Sequence, residues 1–359
     1  MAEKMLSVYA GRVARERLAE QGWNPDLFSL LLGASGGPKW LVLSQLDRVL
    51  FDSFLPKRSH PLHILGTSIG SWRHTCLAQS DSIAAIERME EAYIQQEYDE
   101  NPSPQEVSRV SLGIIQHVLG DSGVQQIVEN ERFLTHIGTV RGKGLLASRR
   151  KAVHLCGLIL AACSNAMHRT WLQPSYQRVM FSRTGDAEQS GMRYSDFQTT
   201  HVSLTTENAV SALMASASIP LVLDGVTTPR GAPHGTYWDG GLIDYHHDLR
   251  LYQGDGLILY PHFYPYLIPG WLDKSFPRRR AQKDVMDRVV LLCPSPAFVE
   301  NLPSSKIPDR KDFSLYSTAE RIKAWWQVTS QCRMLADELH ELWEQSNPLQ
   351  NVTPFPESV

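Results

Sequence analysis

The chain has 359 residues, 42% of them apolar and 20% charged, with a net charge of −3. That composition excludes a disordered, collagen-like or low-complexity chain. The near-neutral charge gives no overall attraction to nucleic acid or to an anionic membrane. Five cysteines, an odd number without CxxC spacing, argue against a disulfide framework and a thiolate zinc site. They point instead to reduced core thiols in the cytoplasm.

Residues 5–21 have the spacing of an amphipathic helix, and 28–32 form a short apolar strand that runs into a glycine-rich turn at 33–38. Helical spacing returns over 38–53, with Trp40, Leu43, Leu46, Val49 and Leu50 on one side. A second apolar strand, 62–65, ends at Gly66 and precedes helices over 68–79, 82–98 and 103–119. A strand follows at 133–140 and a mostly helical stretch at 146–167. Strands are predicted at 176–182, 201–204, 221–223, 236–238, 257–260 and 289–292, with a helix over 207–216. A last helix begins at Ser317-Thr-Ala-Glu320, which has capping-box spacing, and carries Ile322, Trp325, Trp326, Leu335, Leu339, Leu342 and Trp343 on a core-facing stripe. Continuous apolar strands alternating with helices imply a mainly parallel sheet covered on both faces. No run reaches the roughly 18 apolar residues of a membrane span. No apolar run of signal-peptide type follows the first residues. The expectation is a soluble cytoplasmic protein that touches a membrane only peripherally.

The motif Gly66-Thr-Ser68-Ile-Gly70 lies between a strand and a helix, the setting of a nucleophile elbow. Small residues two before and two after the serine let strand and helix approach, and the N–H of Ile69 then points at a developing oxyanion. A second match, Gly33-Ala-Ser35-Gly-Gly37, makes Ser35 a rival nucleophile. The same loop nearly matches a P-loop through Gly33 and Lys39. Pro38 removes a phosphate-holding N–H, however, and Trp40 cannot ligate Mg²⁺. Gly36 and Gly37, unhindered at a helix start, suit an oxyanion hole instead. Among the 13 histidines, His246, His247 and His340 have no distinctive late strand-end setting for a Ser-His-Asp triad and no metal-ligand spacing. Asp239 opens a glycine turn after a short strand and is the better partner for a serine.

In order, Gly36-Gly-Pro-Lys39, Gly66-Thr-Ser68-Ile-Gly70, Ala215-Ser-Ala-Ser-Ile-Pro220 and Asp239-Gly-Gly-Leu242 resemble the patatin-like phospholipase family. The resemblance implies a three-layer α/β/α fold with a mainly parallel central sheet and a helical C-terminal extension. It implies one domain over 1–359, with a motif-bearing core at 28–248 and an extension at 249–359 packed on it. It makes Ser68 the nucleophile and Asp239 its partner, and gives Gly36 and Gly37 to the oxyanion hole. Ser35 falls inside the oxyanion block, which favours Ser68. The sequence departs from the family pattern at Ser35 and Trp40, and at Tyr245 and His246 after Asp244. Those changes bear on substrate more than on chemistry.

The implied activity is hydrolysis of carboxylic esters of glycerolipids through an acyl-enzyme, with no cofactor and no metal. The alternatives are a Ser-His-Asp esterase, an acyltransferase and an inactive lipid-binding protein. For a carboxylate to take a serine proton it must be desolvated, because a solvated one is a weak base, so Asp239 is expected to be partly buried and bonded to Ser68. Lys39 is a candidate contact for an anionic head group. Two stretches combine features suited to a bilayer interface: residues 263–280, aromatic and then basic, are expected to make the peripheral membrane contact, and 141–151 is a basic second choice. No nucleic acid partner is expected, and the oligomeric state is open.

Overall fold

In the computed structural model, which describes residues 3–356, the strands join one sheet. The chain runs through β1 (Leu6–Ala10), α1 (Arg12–Gln21), β2 (Phe28–Gly33), α2 (Ser44–Val49), β3 (Leu62–Thr67) and α3 (Ile69–Leu77). Helices α4 (Ser82–Ile94), α5 (Pro104–Leu119) and α6 (Gly123–Glu129) lead to β4 (Phe133–Gly142), α7 (Lys151–Met167), β5 (Tyr176–Ser182) and β6 (Thr199–Ser203). Then come α8 (Ala209–Ala217), β7 (Val226–Thr227), β8 (Thr236–Asp239), β9 (Leu257–Pro261) and β10 (Val289–Pro294). Helices α9 (Pro296–Glu300), α10 (Asp312–Leu315), α11 (Thr318–Gln331) and α12 (Arg333–Glu344) precede a short β11 (Val352–Pro354).

Strand order is β11-β1-β10-β9-β2-β3-β4-β5-β6, with β8 paired to β4 and β7 to β8. The centre, β10-β9-β2-β3-β4, is parallel, as expected for strands that are apolar on both faces. Helices cover the sheet in a three-layer α/β/α arrangement. The register of β4 brings two distant parts of the chain together. Its first half pairs with β3, ending at Thr67 opposite Gly138. Its second half pairs with β8, where Asp239 lies opposite Thr139. The residue after Thr67 and the end of β8 therefore meet at one point on β4, although 171 residues separate them.

Several sequence expectations change. Residues 5–21 are not one helix: Leu6–Ala10 alternates buried and half-buried side chains with a period of two and pairs antiparallel with β10. Only 12–21 is helical. Residues 38–53 are not one α-helix either. Gly37–Leu43 winds as a 3₁₀ helix, α2 follows, and a π turn spans Leu50–Phe54. Residues 221–223 form a turn rather than a strand, with Leu221 at φ +68°. The last helix is two helices, broken at Cys332. Its start carries the Ser317–Glu320 capping box, and of the proposed stripe only Trp326 is exposed, at 37%. The region 249–359 does more than pack on the core, because β9 and β10 lie inside the sheet between β2 and β1. Cys76, Cys293 and Cys332 are buried, whereas Cys156 and Cys163 are exposed on α7 and so are not core thiols.

Beneath α3, Arg73 holds Asp47 of α2 with two hydrogen bonds, Nε to Oδ2 at 2.7 Å and Nη2 to Oδ1 at 2.5 Å, and both side chains are buried. Removing one partner leaves an uncompensated buried charge. Asp47→Ala is expected to lower stability by about 3–5 kcal/mol, whereas Asp47→Leu with Arg73→Met should cost far less. Urea denaturation of the two variants checks this.

Candidate active site

Ser68 sits between β3 and α3 at φ 53°, ψ −132°, a backbone conformation that a non-glycine residue holds only when its surroundings force it. The surroundings are glycines. A Cβ on Gly70 would lie 2.2 Å from the carbonyl oxygen of Gly33, and one on Gly66 would lie 2.5 Å from the backbone nitrogen of Ser71. The turn can be this sharp because neither side chain exists.

The Ser68 hydroxyl donates to Oδ2 of Asp239 at 2.8 Å. Oδ1 of the same carboxylate accepts the N–H of Gly241 at 2.7 Å, so a bond to each oxygen fixes its plane. Burial raises the Asp239 pKa above the usual carboxylate value; the Ser68 hydroxyl, the Gly241 N–H and the cations Arg310 and Lys274 oppose that rise without cancelling it. Among the described residues Asp239 is the only side chain bonded to the Ser68 hydroxyl. The rival Ser35 is bonded instead to Thr67, Oγ to Oγ1 at 2.9 Å, and Thr67 donates to the carbonyl of Asp244.

None of the candidate histidines reaches Ser68. His246 is buried and accepts the N–H of Ile268 through Nδ1. Burial pushes the pKa of His247 down to about 4. His340 lies on α12, 3.4 Å from Glu344.

Gly36 lines a small cavity with Ser35, Ser68 and Asp239, and Gly37 and Ile69 line a larger one that also meets Ser68. The N–H groups of Gly36 and Gly37 bond to nothing among the described residues. That of Ile69, first in α3, has no partner within its helix. Each of these three residues lines a cavity that Ser68 also lines. The larger cavity measures about 720 Å³; Trp72, Val107, Ile114, Leu223 and Phe313 give it an apolar wall, and Glu97, Asp99, Glu100, Arg310 and Arg321 also line it. That volume and mixed lining suit a ligand with both an apolar and a polar part.

The block 215–220 gains a role that its sequence does not state. Ser216 accepts the N–H of Ser68 at 2.8 Å and donates to the carbonyl of Gly138 at 2.7 Å. The carbonyl of Ser218 accepts the N–H of Asp239 at 2.9 Å. One segment therefore ties both ends of the site to β4. The turn after Asp239 is anchored by the buried Arg178, which grips Asp244 through Nε and Nη2 at 2.6 and 2.7 Å.

Lys39 is half-buried and has no hydrogen-bond or ion-pair partner among the described residues. Burial lowers its pKa, with Arg310 and Lys306 adding to the fall and Asp309 and Asp312 opposing it. Two cations join it that sequence reasoning missed. Arg310 lines both cavities. Lys274 lies over the Tyr245 ring, 4.0 Å from its centroid.

The 263–280 stretch is less available than its sequence suggests. Phe263 is buried against Gly36. Tyr266 carries Arg280 on its face and Phe276 carries Arg279. Arg169 and Arg279 both pair with the buried Asp273 at 2.7 Å. Among the described residues no cluster of three His, Cys, Asp or Glu side chains could hold a metal. No helix among them is long and apolar enough to cross a membrane.

Desolvation of the ammonium and the nearby cations Lys39 and Arg310 lower the Lys274 pKa from 10.5 to about 7, although the residue keeps an exposed surface. Between those values the unfolded chain binds the proton and the folded one does not, so folded stability rises with pH through this window. The melting temperature of wild type relative to Lys274→Met is expected to rise from pH 7 toward 10.5, as read by calorimetry. A flat difference would show that the ammonium is not desolvated.

A family model described as patatin-like phospholipase matches residues 46–246, more than half of the chain. No curated protein matches it.

Proposed function

The chain belongs to the patatin-like phospholipase family, and from that premise we propose that it hydrolyses carboxylic ester bonds of glycerolipids, with Ser68 as nucleophile and Asp239 as the base. The observation that carries the proposal is the 2.8 Å bond between the Ser68 hydroxyl and a buried carboxylate.

As the Ser68 oxygen attacks the ester carbonyl, its proton passes to Oδ2 of Asp239. Desolvation makes that carboxylate a better base than an exposed one. The oxyanion that forms is held by the N–H groups of Gly36, Gly37 and Ile69, each worth about 3 kcal/mol in the transition state. The proton then moves to the departing alcohol and an acyl-serine remains. Water, deprotonated in turn by Asp239, attacks the acyl carbon; Asp239 returns that proton to the departing Ser68 oxygen, and the fatty acid is released. The apolar wall of the larger cavity, which Ser68 also lines, suits the acyl chain. Arg310 and Lys39, joined by Lys274 once an incoming anion keeps it protonated, suit a negatively charged head group at the other end of the ester.

A fluorophosphonate serine probe with mass mapping tests the assignment. The label is expected on Ser68, lost in Ser68→Ala and retained in Ser35→Ala. Asp239→Asn should lower ester turnover by about 10²–10⁴-fold. The wild-type rate should fall on the acid side, because the base must be ionised and its pKa is raised. A label on Ser35, or an Asp239→Asn enzyme as active as wild type, would overturn the assignment.

A further inference from the structure

Between Phe133 and Gly185 the chain contains no Asp or Glu. Helix α7 lies in this stretch. Its inner face, with His154, Gly157, Ala161 and Asn165, is buried over a small core cluster that includes Trp238, Leu242 and Trp271. Its outer face is apolar: Leu155 is 43% exposed, Ile159 55%, Leu160 59% and Met167 67%, and Trp171 beyond its end is 51% exposed. At i, i+4, i+8 and i+12, residues 155, 159, 163 and 167 form one stripe. Ordinary surfaces expose single apolar side chains, not a contiguous helix face.

The N-terminal end of the same helix is basic. Arg149, Arg150 and Lys151 are exposed and have no ion-pair partner among the described residues. Arg149 and Arg150 line an open groove of about 790 Å³ together with Arg141 and Lys143. No acidic residue lines that groove.

We propose that the outer face of α7 and the basic groove at its N-terminal end dock the protein on an anionic lipid bilayer, the helix lying in the interface and the groove taking head groups. Apolar side chains on one face, basic residues at one end and a tryptophan at the other match the requirements of an interfacial helix. Charge selects this occupant over a second copy of the chain. A two-fold partner would present the same acid-free helix and offer the cations nothing. Between α7 and the candidate active site lies one shared group of residues. Leu242 and Trp271 line the small cavity at Ser68; Leu242 also belongs to the cluster beneath α7, and Trp271 packs against it.

Co-sedimentation tests the proposal, using vesicles of phosphatidylcholine alone and vesicles with about 30% phosphatidylserine. Wild type is expected to pellet with the anionic vesicles and to be released as salt rises. Arg149→Gln with Arg150→Gln and Lys151→Gln should weaken partitioning on the order of 100-fold. Ile159→Gln with Leu160→Gln should weaken it by at least about 10-fold. Unchanged melting curves show that both variants fold. Binding is read without turnover, so it stands or falls separately from the hydrolase assignment. Wild type that ignores anionic vesicles, or variants that bind like wild type, would overturn the proposal. So would a wild-type dimer that Ile159→Gln with Leu160→Gln converts to monomer, because a second copy would then cover the face.

Discussion

The backbone of Ser68 can hold its left-handed turn only because β2, β3 and α3 approach one another without side chains between them. A methyl group on Gly70 would overlap the Gly33 carbonyl, so the two glycine-rich turns form one packed unit. This contact sets the position of the nucleophile turn relative to the turn that carries Gly36 and Gly37. Their relative placement is thus fixed by van der Waals exclusion, which does not weaken with salt or pH. The polar bonds from Ser216 and Asp239 then orient groups whose positions sterics have already set.

The second determinant is the register of β4. Because β3 and β8 share one edge of that strand, end to end, the carboxylate arrives beside the hydroxyl through backbone pairing. The ion pair of Arg178 and Asp244 stabilises the turn just beyond it. The cost of burying Asp239 is met by this surrounding frame, and the raised pKa reflects the environment that the frame imposes.

Much of this is legible in the sequence because it is local. A glycine two residues on each side of Ser68, between an apolar strand and a helix, states its own geometry. Ser35 could be set aside only by the family resemblance, and its bond to Thr67 depends on how two strands align. Arg310 and Lys274 were invisible because they come from loops far along the chain and become neighbours only through tertiary packing. The 5–21 segment misled for a different reason. Leu6, Val8 and Ala10 fit a period of two as well as Leu6, Tyr9 and Ala10 fit a helix, and a partner strand almost 300 residues away decides the matter. The aromatics of 263–280 read as exposed because no local signal shows that Arg279 and Arg280 fold back over Phe276 and Tyr266.

The position of β9 and β10 between β2 and β1 bears on how the chain is made. During synthesis β2, β3 and β4 emerge early and can pair with one another. The outer edge of β2 must wait until residues 257–261 arrive, and β1 must wait for 289–294. Through that interval the nascent chain presents an apolar strand edge, the kind of surface that invites pairing with other chains. Closure of the sheet is thus a late, non-local event. β1, made first among these strands, is held in place by a strand that emerges almost 280 residues later.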